Sequence, residues 1–275
     1  MIRGLTRAGV GDIGNDKDFI EKASQYGFQA VDIDPLRLIK QYGIEGSREL
    51  LLKYHMQIGC FGIPVDWQSD EATFRQGLQR LIECAAAAAD LGVNKCGAYI
   101  LPSNDQRALP FLIKATKRLR LCAEILGEYN IQLALEFVGS HHLRTQWKYP
   151  FIWRLDDTLE WIDMIGSSNV GLLFDSYHWH TNGLNVSDII KLRRDQIVHV
   201  HINDAYDLPI EDLLDHERIY PGDGIIDLVG FLQSLKVIGY EGVVSQEVIS
   251  SNKNQDALTL LKKTKDAFDY VFAQI

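Results

Sequence analysis

The chain has no run of lysine or arginine, and its acidic residues outnumber its basic ones, 37 to 28, for a net charge of −9. A phosphate-rich polymer is repelled by that balance, so no nucleic-acid partner is expected, whereas small neutral substrates are not excluded. No apolar stretch reaches the ~18 residues that a membrane span needs. The Ala-rich segment from Cys84 to Ala89 is too short and reads as close helix packing. The opening residues, MIRGLTRAG, lack the apolar region of a secretory leader, so no membrane partner and a cytoplasmic location are expected. Cysteines are few, and Cys60, Cys84, Cys96 and Cys122 show no CxxC spacing. Two fall in expected strands and two in expected helices, which suits reduced, buried thiols. No GxGxxG follows the first strand, which argues against a dinucleotide-binding fold. No linker, composition shift or low-complexity tract marks a boundary, so residues 1–275 are expected to form a single domain.

What is present is an ordinary globular composition, 46% hydrophobic and 24% charged, enough for a sizeable core. Short apolar runs alternate with helix-periodic segments along the whole chain. Eight runs read as strands, starting near Ile2, Ala30, Gln57, Lys95, Gln132, Asn169, Gln196 and Gly242, with Pro35, Pro64 and Pro102 closing three of them. Eight helices are expected between and after them, among them Gly46 to His55, Val186 to Arg194 and Asn254 to Phe272. Such alternation implies parallel strands joined by right-handed crossovers, and eight units favour a closed (β/α)₈ TIM barrel over an open sheet.

Four of the strands share a pattern. In NVGLLFD, Leu172 and Phe174 share one face while Leu173 and Asp175 share the other. In QIVHVHIND, Val198, Val200 and Ile202 oppose His199, His201 and Asn203. In QLALEFV, Ala134 and Glu136 oppose Leu133, Leu135 and Phe137, and in GVVSQEV the residues Val243, Ser245 and Glu247 fall together. Gln246 then lands on the helix-facing side, where an amide is out of place. The second strand turns Val31 and Ile33 outward and Asp32 and Asp34 inward. One acid at a strand end reads as a helix cap, but Glu136, Asp175, His201 and Glu247 each end the less apolar face of a strand. In a barrel those ends meet at the C-terminal rim. The longest loops follow the strands of Glu136 and His201, and six of the eight histidines (His141, His142, His178, His180, His199 and His201) lie between residues 141 and 201.

Three carboxylates and one imidazole form a hard ligand set that suits one divalent ion. Mn²⁺ is favoured, Mg²⁺ and Co²⁺ fit equally by type, and Zn²⁺ remains possible. Such an ion would act as a Lewis acid on a carbonyl and its neighbouring hydroxyl, and an adjacent carboxylate would remove the acidified proton to give a metal-bound enediolate. Reprotonation on another face or on the other carbon gives epimerisation or isomerisation.

The segments ALEFVG (134–139), NVGLLFDSYHWH (169–180), HINDAYDLPIEDLLDHERIYPGDGIIDL (201–228) and LKVIGYEGVVSQEV (235–248) resemble the xylose isomerase-like family of barrels, within it most closely the inosose (2-keto-myo-inositol) isomerase branch. The similarity covers nearly all of the second half of the chain and only the general βα rhythm of the first. It implies that Glu136, Asp175, His201 and Glu247 hold the metal, that Glu136 and Glu247 double as the acid/base pair, and that His178 and Arg218 contact substrate. It implies a sugar or cyclitol substrate and a possible homo-oligomer, dimer or tetramer. The resemblance departs at His142, where the ketose 3-epimerases carry a further glutamate, and in a longer loop from Ser140 to Trp153. A lyase resembling inosose dehydratase on the same metal, or a sugar-binding barrel without catalysis, are the alternatives. Arg7, Asp34, Trp67, His142 and Lys148 also fall near the rim, and each reads more simply as a packing or solvated residue.

Overall fold

The computed structural model describes residues 1–250 and 256–275. Its parallel strands are β1 (Ile2–Leu5), β2 (Ala30–Val31), β3 in two pieces (Gln57–Ile58 and Phe61–Gly62), β4 (Lys95–Ile100), β5 (Gln132–Phe137), β6 (Val170–Asp175), β7 (Ile197–Ile202) and β8 (Val243–Gln246). Each pairs with its chain neighbours, and β8 pairs back onto β1 with Ile2 opposite Val243. The first piece of β3 ladders with β2 and the second with β4, so the circle closes through one strand interrupted at Gly59 and Cys60. At the break the barrel interior is crowded. A Cβ on Gly59 would lie 2.5 Å from Asp32 Oδ1 and 3.1 Å from Val243 Cγ1, so side chains from other strands fill its place.

The helices are α1 (Asp16–Gln25), α2 (Pro35–Lys53), α3 (Glu71–Asp90), α4 (Ala108–Gly127), α5 (Leu155–Ile165), α6 (Ser176–Thr181), α7 (Val186–Ile190), α8 (Leu228–Val237) and α9 (Ala257–Phe272). Aspartate caps set several starts, as at α3, where Asp70 Oδ1 accepts from Ala72 N and Thr73 N at 2.8 and 3.0 Å. Helix α2 begins eleven residues before the expected Gly46. Pro35 at its first turn gives up no helical hydrogen bond, and Asp34 caps it. Gly43, at φ 70° and ψ 172°, breaks the helix midway and hides its start from any periodicity. Helix α6 was not expected, because its six residues span too few turns to show a period. The helix expected over Val186 to Arg194 ends at Ile190, and a 3₁₀ turn (Arg194–Gln196) leads into β7. Asn254 and Gln255, the expected start of α9, lie outside the described residues.

The face assignments hold with one exception. Between β6 and β7 the register runs Ile197 opposite Leu172 and then His199 opposite Leu173, leaving Val198 as a bulge. Val198, expected among the helices, packs inside the barrel with Ala134 and Leu173. Its Cγ2 occupies the space that a side chain on Gly171 would need, 2.8 Å from the ideal Cβ. Beyond the bulge the alternation resumes, with Val200 and Ile202 in the outer core.

That outer core is strongly aromatic. Phe174 stacks on Phe231 at 5.3 Å, and Trp179 meets the same ring edge-on at 5.3 Å. Trp67, a candidate rim residue, instead packs against Phe111 of α4 and Trp161 of α5. All four cysteines are free and buried, and no described helix is long and apolar enough to cross a membrane.

Two long loops rise from the C-terminal rim. The first carries a helical turn (His141–Arg144) and a two-residue strand, Tyr149–Pro150, paired antiparallel with Ser103–Asn104. The second, from Ala205 to Gly224, is tied down by the fully buried Asp204. Its Oδ1 accepts from Ala205 N and Ile226 N, both at 2.9 Å, and its Oδ2 from Gly222 N and Gly224 N at 2.9 and 3.0 Å.

Removing the Phe231 ring opens a large apolar void between Phe174 and Trp179. Phe231→Ala is expected to cost about 3–5 kcal/mol of stability, read from urea unfolding. A loss below ~1 kcal/mol would contradict this packing.

Candidate functional site

Parallel register places Glu136, next to last in β5, Asp175, last in β6, His201, next to last in β7, and Glu247, one residue past β8, at one end of the barrel. Each offers a ligand atom, and these four atoms lie within 4.8 Å of one another. His201 Nδ1 is 3.4 Å from Glu247 Oε2 and 3.8 Å from Glu136 Oε1. Asp175 Oδ1 accepts from Tyr177 N at 2.7 Å, capping α6, and Asn203 Nδ2 donates to Asp175 Oδ2 at 3.0 Å. Thus the helix-cap role and the cluster role belong to the same side chain. Glu136 Oε1 and His201 Nδ1 are buried without a hydrogen-bond partner. Buried polar atoms nearly always have one, so these two suit a ligand or ion that they would contact directly.

The electrostatics follow from crowding. Burial, and then the neighbouring Glu247, push the Glu136 carboxyl well above the usual carboxylate range. At Glu247 burial acts in the same direction, but His201 and Arg218 outweigh it and hold that carboxyl at about 2. Burial opposes charge on His201 too, yet Glu247, Asp32 and Glu136 prevail and raise its pKa well above that of free imidazole.

Arg218 and His178 lie beside the cluster and are almost fully buried. Arg218 Nη1 donates to Glu247 Oε2 at 3.0 Å and to Asp175 Oδ2 at 3.2 Å. Its Nη2 donates to Asp215 Oδ1 at 2.9 Å and lies 3.2 Å from His178 Nε2. His178 Nδ1 in turn accepts from Gly139 N at 3.2 Å. Ser140 Oγ donates to Asp215 Oδ1 at 3.1 Å, so one polar network binds both long loops to the carboxylates. Burial would raise the Asp215 carboxyl, but Arg218 and His178 bring it down to about 2.

A cavity of about 330 Å³ opens over the cluster, with Thr6, Asp32, Cys60, Phe61, Tyr99 and Leu173 among its walls. Asp34 lines it while also capping α2 and pairing with Arg80 at 3.3 Å. The other rim candidates point elsewhere. Arg7 pairs with the buried Asp16 at 2.9 Å, His142 meets His216 edge-on, and the Lys148 ammonium lies over the Tyr149 ring.

Sequence reasoning assigned no role to Asp32, Asn203 or Asp215, all of which touch the cluster or its neighbours. For Asp32 a signal existed, an acid on the inner face of a strand. Its partners did not show, because Asp32 Oδ2 meets His199 Nε2 at 2.9 Å and His201 Nε2 at 3.3 Å across most of the chain's length.

Comparison with known proteins places this geometry among relatives. The sequence is 27% identical over 241 residues to an inosose isomerase of Bacillus velezensis, covering 85% of this chain and 83% of that one. The structure of a xylose isomerase domain protein from Alicyclobacillus acidocaldarius superposes with a TM-score of 0.91 at 30% identity, covering 100% of this chain and 99% of that one. The crystal structure of the IOLI protein with a zinc atom shares the fold at a TM-score of 0.83 and 24% identity, covering 100% of this chain and 99% of that one. The sequence model described as xylose isomerase-like TIM barrel matches residues 20–269, and the chain belongs to that family.

Proposed function

We propose that this protein is a divalent-metal-dependent isomerase or epimerase that moves a proton next to the carbonyl of a neutral ketose or inosose. The observation that carries the reading is the convergence of Glu136, Asp175, His201 and Glu247, with Glu136 Oε1 and His201 Nδ1 buried and unpartnered. Three carboxylate oxygens and an imidazole nitrogen fit Mn²⁺, Mg²⁺, Co²⁺ or Zn²⁺, and we assign these four side chains as its ligands. The inosose isomerase relative and the zinc atom of the IOLI structure support the same reading.

When bound, the ion supplies Lewis acidity to the substrate carbonyl and the hydroxyl beside it. The residues do the rest. Glu247, kept ionised by His201 and Arg218, takes the proton from the carbon next to the carbonyl. Glu136 returns one, so the two carboxyls divide acid and base work between them. His178 and Arg218 orient substrate oxygens from the loop side, and the buried Phe61 and Leu173 give the cavity an apolar wall beside the reacting face. A neutral substrate follows from the charges. Glu136, Asp175 and Glu247 leave the shell of a divalent ion net negative, and Arg218 is already engaged by Asp175, Glu247 and Asp215, so the cluster favours a neutral ligand over an anion.

Treatment with EDTA is expected to abolish turnover and Mn²⁺ to restore it, and in D₂O the label should enter the carbon beside the carbonyl. An NMR time course reads both arms. Loss of a β-hydroxyl as water would make the protein a lyase, and metal uptake with no exchange on any ketose or inosose would leave only a binding barrel. Glu136→Gln and Glu247→Gln, each assayed at saturating metal, are expected to lower kcat by about 10²–10⁴-fold. Arg218→Met strips the buried carboxylates of their fixed cation and should cost about 3–5 kcal/mol in metal-free protein, with part of the loss recovered when metal is added.

A further inference from the structure

We infer that Asp32 and His199 form a positioning pair that orients His201 so that its Nδ1 lone pair is presented to the metal. The inference rests on the assignment of His201 as a ligand. The His201 ring stands between two acidic groups. Its Nδ1 faces Glu247 and Glu136, at 3.4 and 3.8 Å, while its Nε2 lies 3.3 Å from Asp32 Oδ2. A metal-bound imidazole keeps one proton, and only the nitrogen without it can hold the cation. With the proton on Nε2, His201 donates to Asp32 and turns its lone pair toward the cluster. With the proton on Nδ1, it would point a hydrogen into the ligand site and leave the Asp32 carboxylate without that donor.

Asp32 is itself held in place. His199 Nε2 lies 2.9 Å from the same Oδ2, and His199 is fully buried with no partner on Nδ1, so its proton belongs on the nitrogen that meets Asp32. The two imidazoles meet edge-to-face, 5.1 Å between ring centres at 82°. The other carboxylate oxygen, Oδ1, makes no hydrogen bond and lies in the space left by the missing side chain of Gly59. A largely buried carboxylate with two imidazole partners and, among the described residues, no lysine or arginine ion pair is costly. A cation on the far side of His201 offsets part of that cost by polarising the ring toward Asp32, which couples this pair to metal binding.

The test is zinc titration of the full chain, with melting of the metal-free protein followed alongside. Asp32→Asn and His199→Gln are each expected to weaken zinc binding by about 10- to 100-fold, as loss of the group behind a metal-bound histidine generally does. Binding within twofold of wild type in both variants would overturn the inference while leaving the metal assignment intact. Wild-type protein that takes up no zinc would overturn both. Should Asp32→Asn fail to fold, His199→Gln carries the same expectation, and wild-type protein decides without any variant. In the zinc-loaded form with ¹⁵N-labelled histidine, His201 is expected to bind through Nδ1 and to show an Nε2 proton in slow exchange with solvent. A proton on Nδ1, or zinc on Nε2, would refute the assignment, and neither signal would respond to a purely structural role.

Discussion

Three carboxylates held within a few ångströms of each other at the end of a barrel repel one another, and the surrounding structure is arranged around that repulsion. Two unit charges 4 Å apart interact by about 4 kcal/mol at the effective dielectric of a protein near its surface, a large fraction of the stability of any domain. Strands β5, β6 and β8 deliver the three acids, so the fold itself enforces the crowding. Arg218 answers it from the loop side with hydrogen bonds to two of the three, and His201 answers it from within. The opposed shifts of Glu136 and Glu247 follow from position alone. Glu247 lies next to both cations, whereas Glu136 has His201 at 3.8 Å and no hydrogen bond to either.

Much of this architecture was legible from period-two alternation. The inner face of each strand could be read wherever a strand was regular, and each of the four candidates fell at or near the end of its strand. For that reason Glu136, Asp175, His201 and Glu247 could be grouped from sequence, and the structure brings them together. Irregularity defeated the same reasoning. The bulge at Val198 turns one valine inward for the sake of the gap at Gly171, and nothing in the order IVHVH announces it. The glycine at 43 concealed half of α2, and the six-residue α6 was too short to leave a periodic trace. Gln246, an oddity in the sequence, is fully buried with its amide unpaired, and nothing in the structure explains it.

The polar contacts around the cluster were the least legible part. Asp32 and His199 lie 167 residues apart in sequence, and Asp215, Arg218 and Ser140 come from two different loops. Local pattern carries information about which face a residue occupies, not about which distant side chain shares it. Resemblance supplied His178 and Arg218 as residues of interest, and the structure shows them joined to the cluster by a network that neither pattern nor motif contained.

The knot at Asp204 has a consequence for how such a barrel is altered. One carboxylate gathers four amide hydrogens from the start, the end and the far side of the segment that holds Asp215 and Arg218. That segment is therefore a cassette with its own latch. Transplanted between homologous barrels with the aspartate and the Gly222–Gly224 bend, it would keep its shape. Spliced in without them, it would arrive with four orphaned amides, and only the side-chain bonds of Arg218 and Asp215 would be left to seat it.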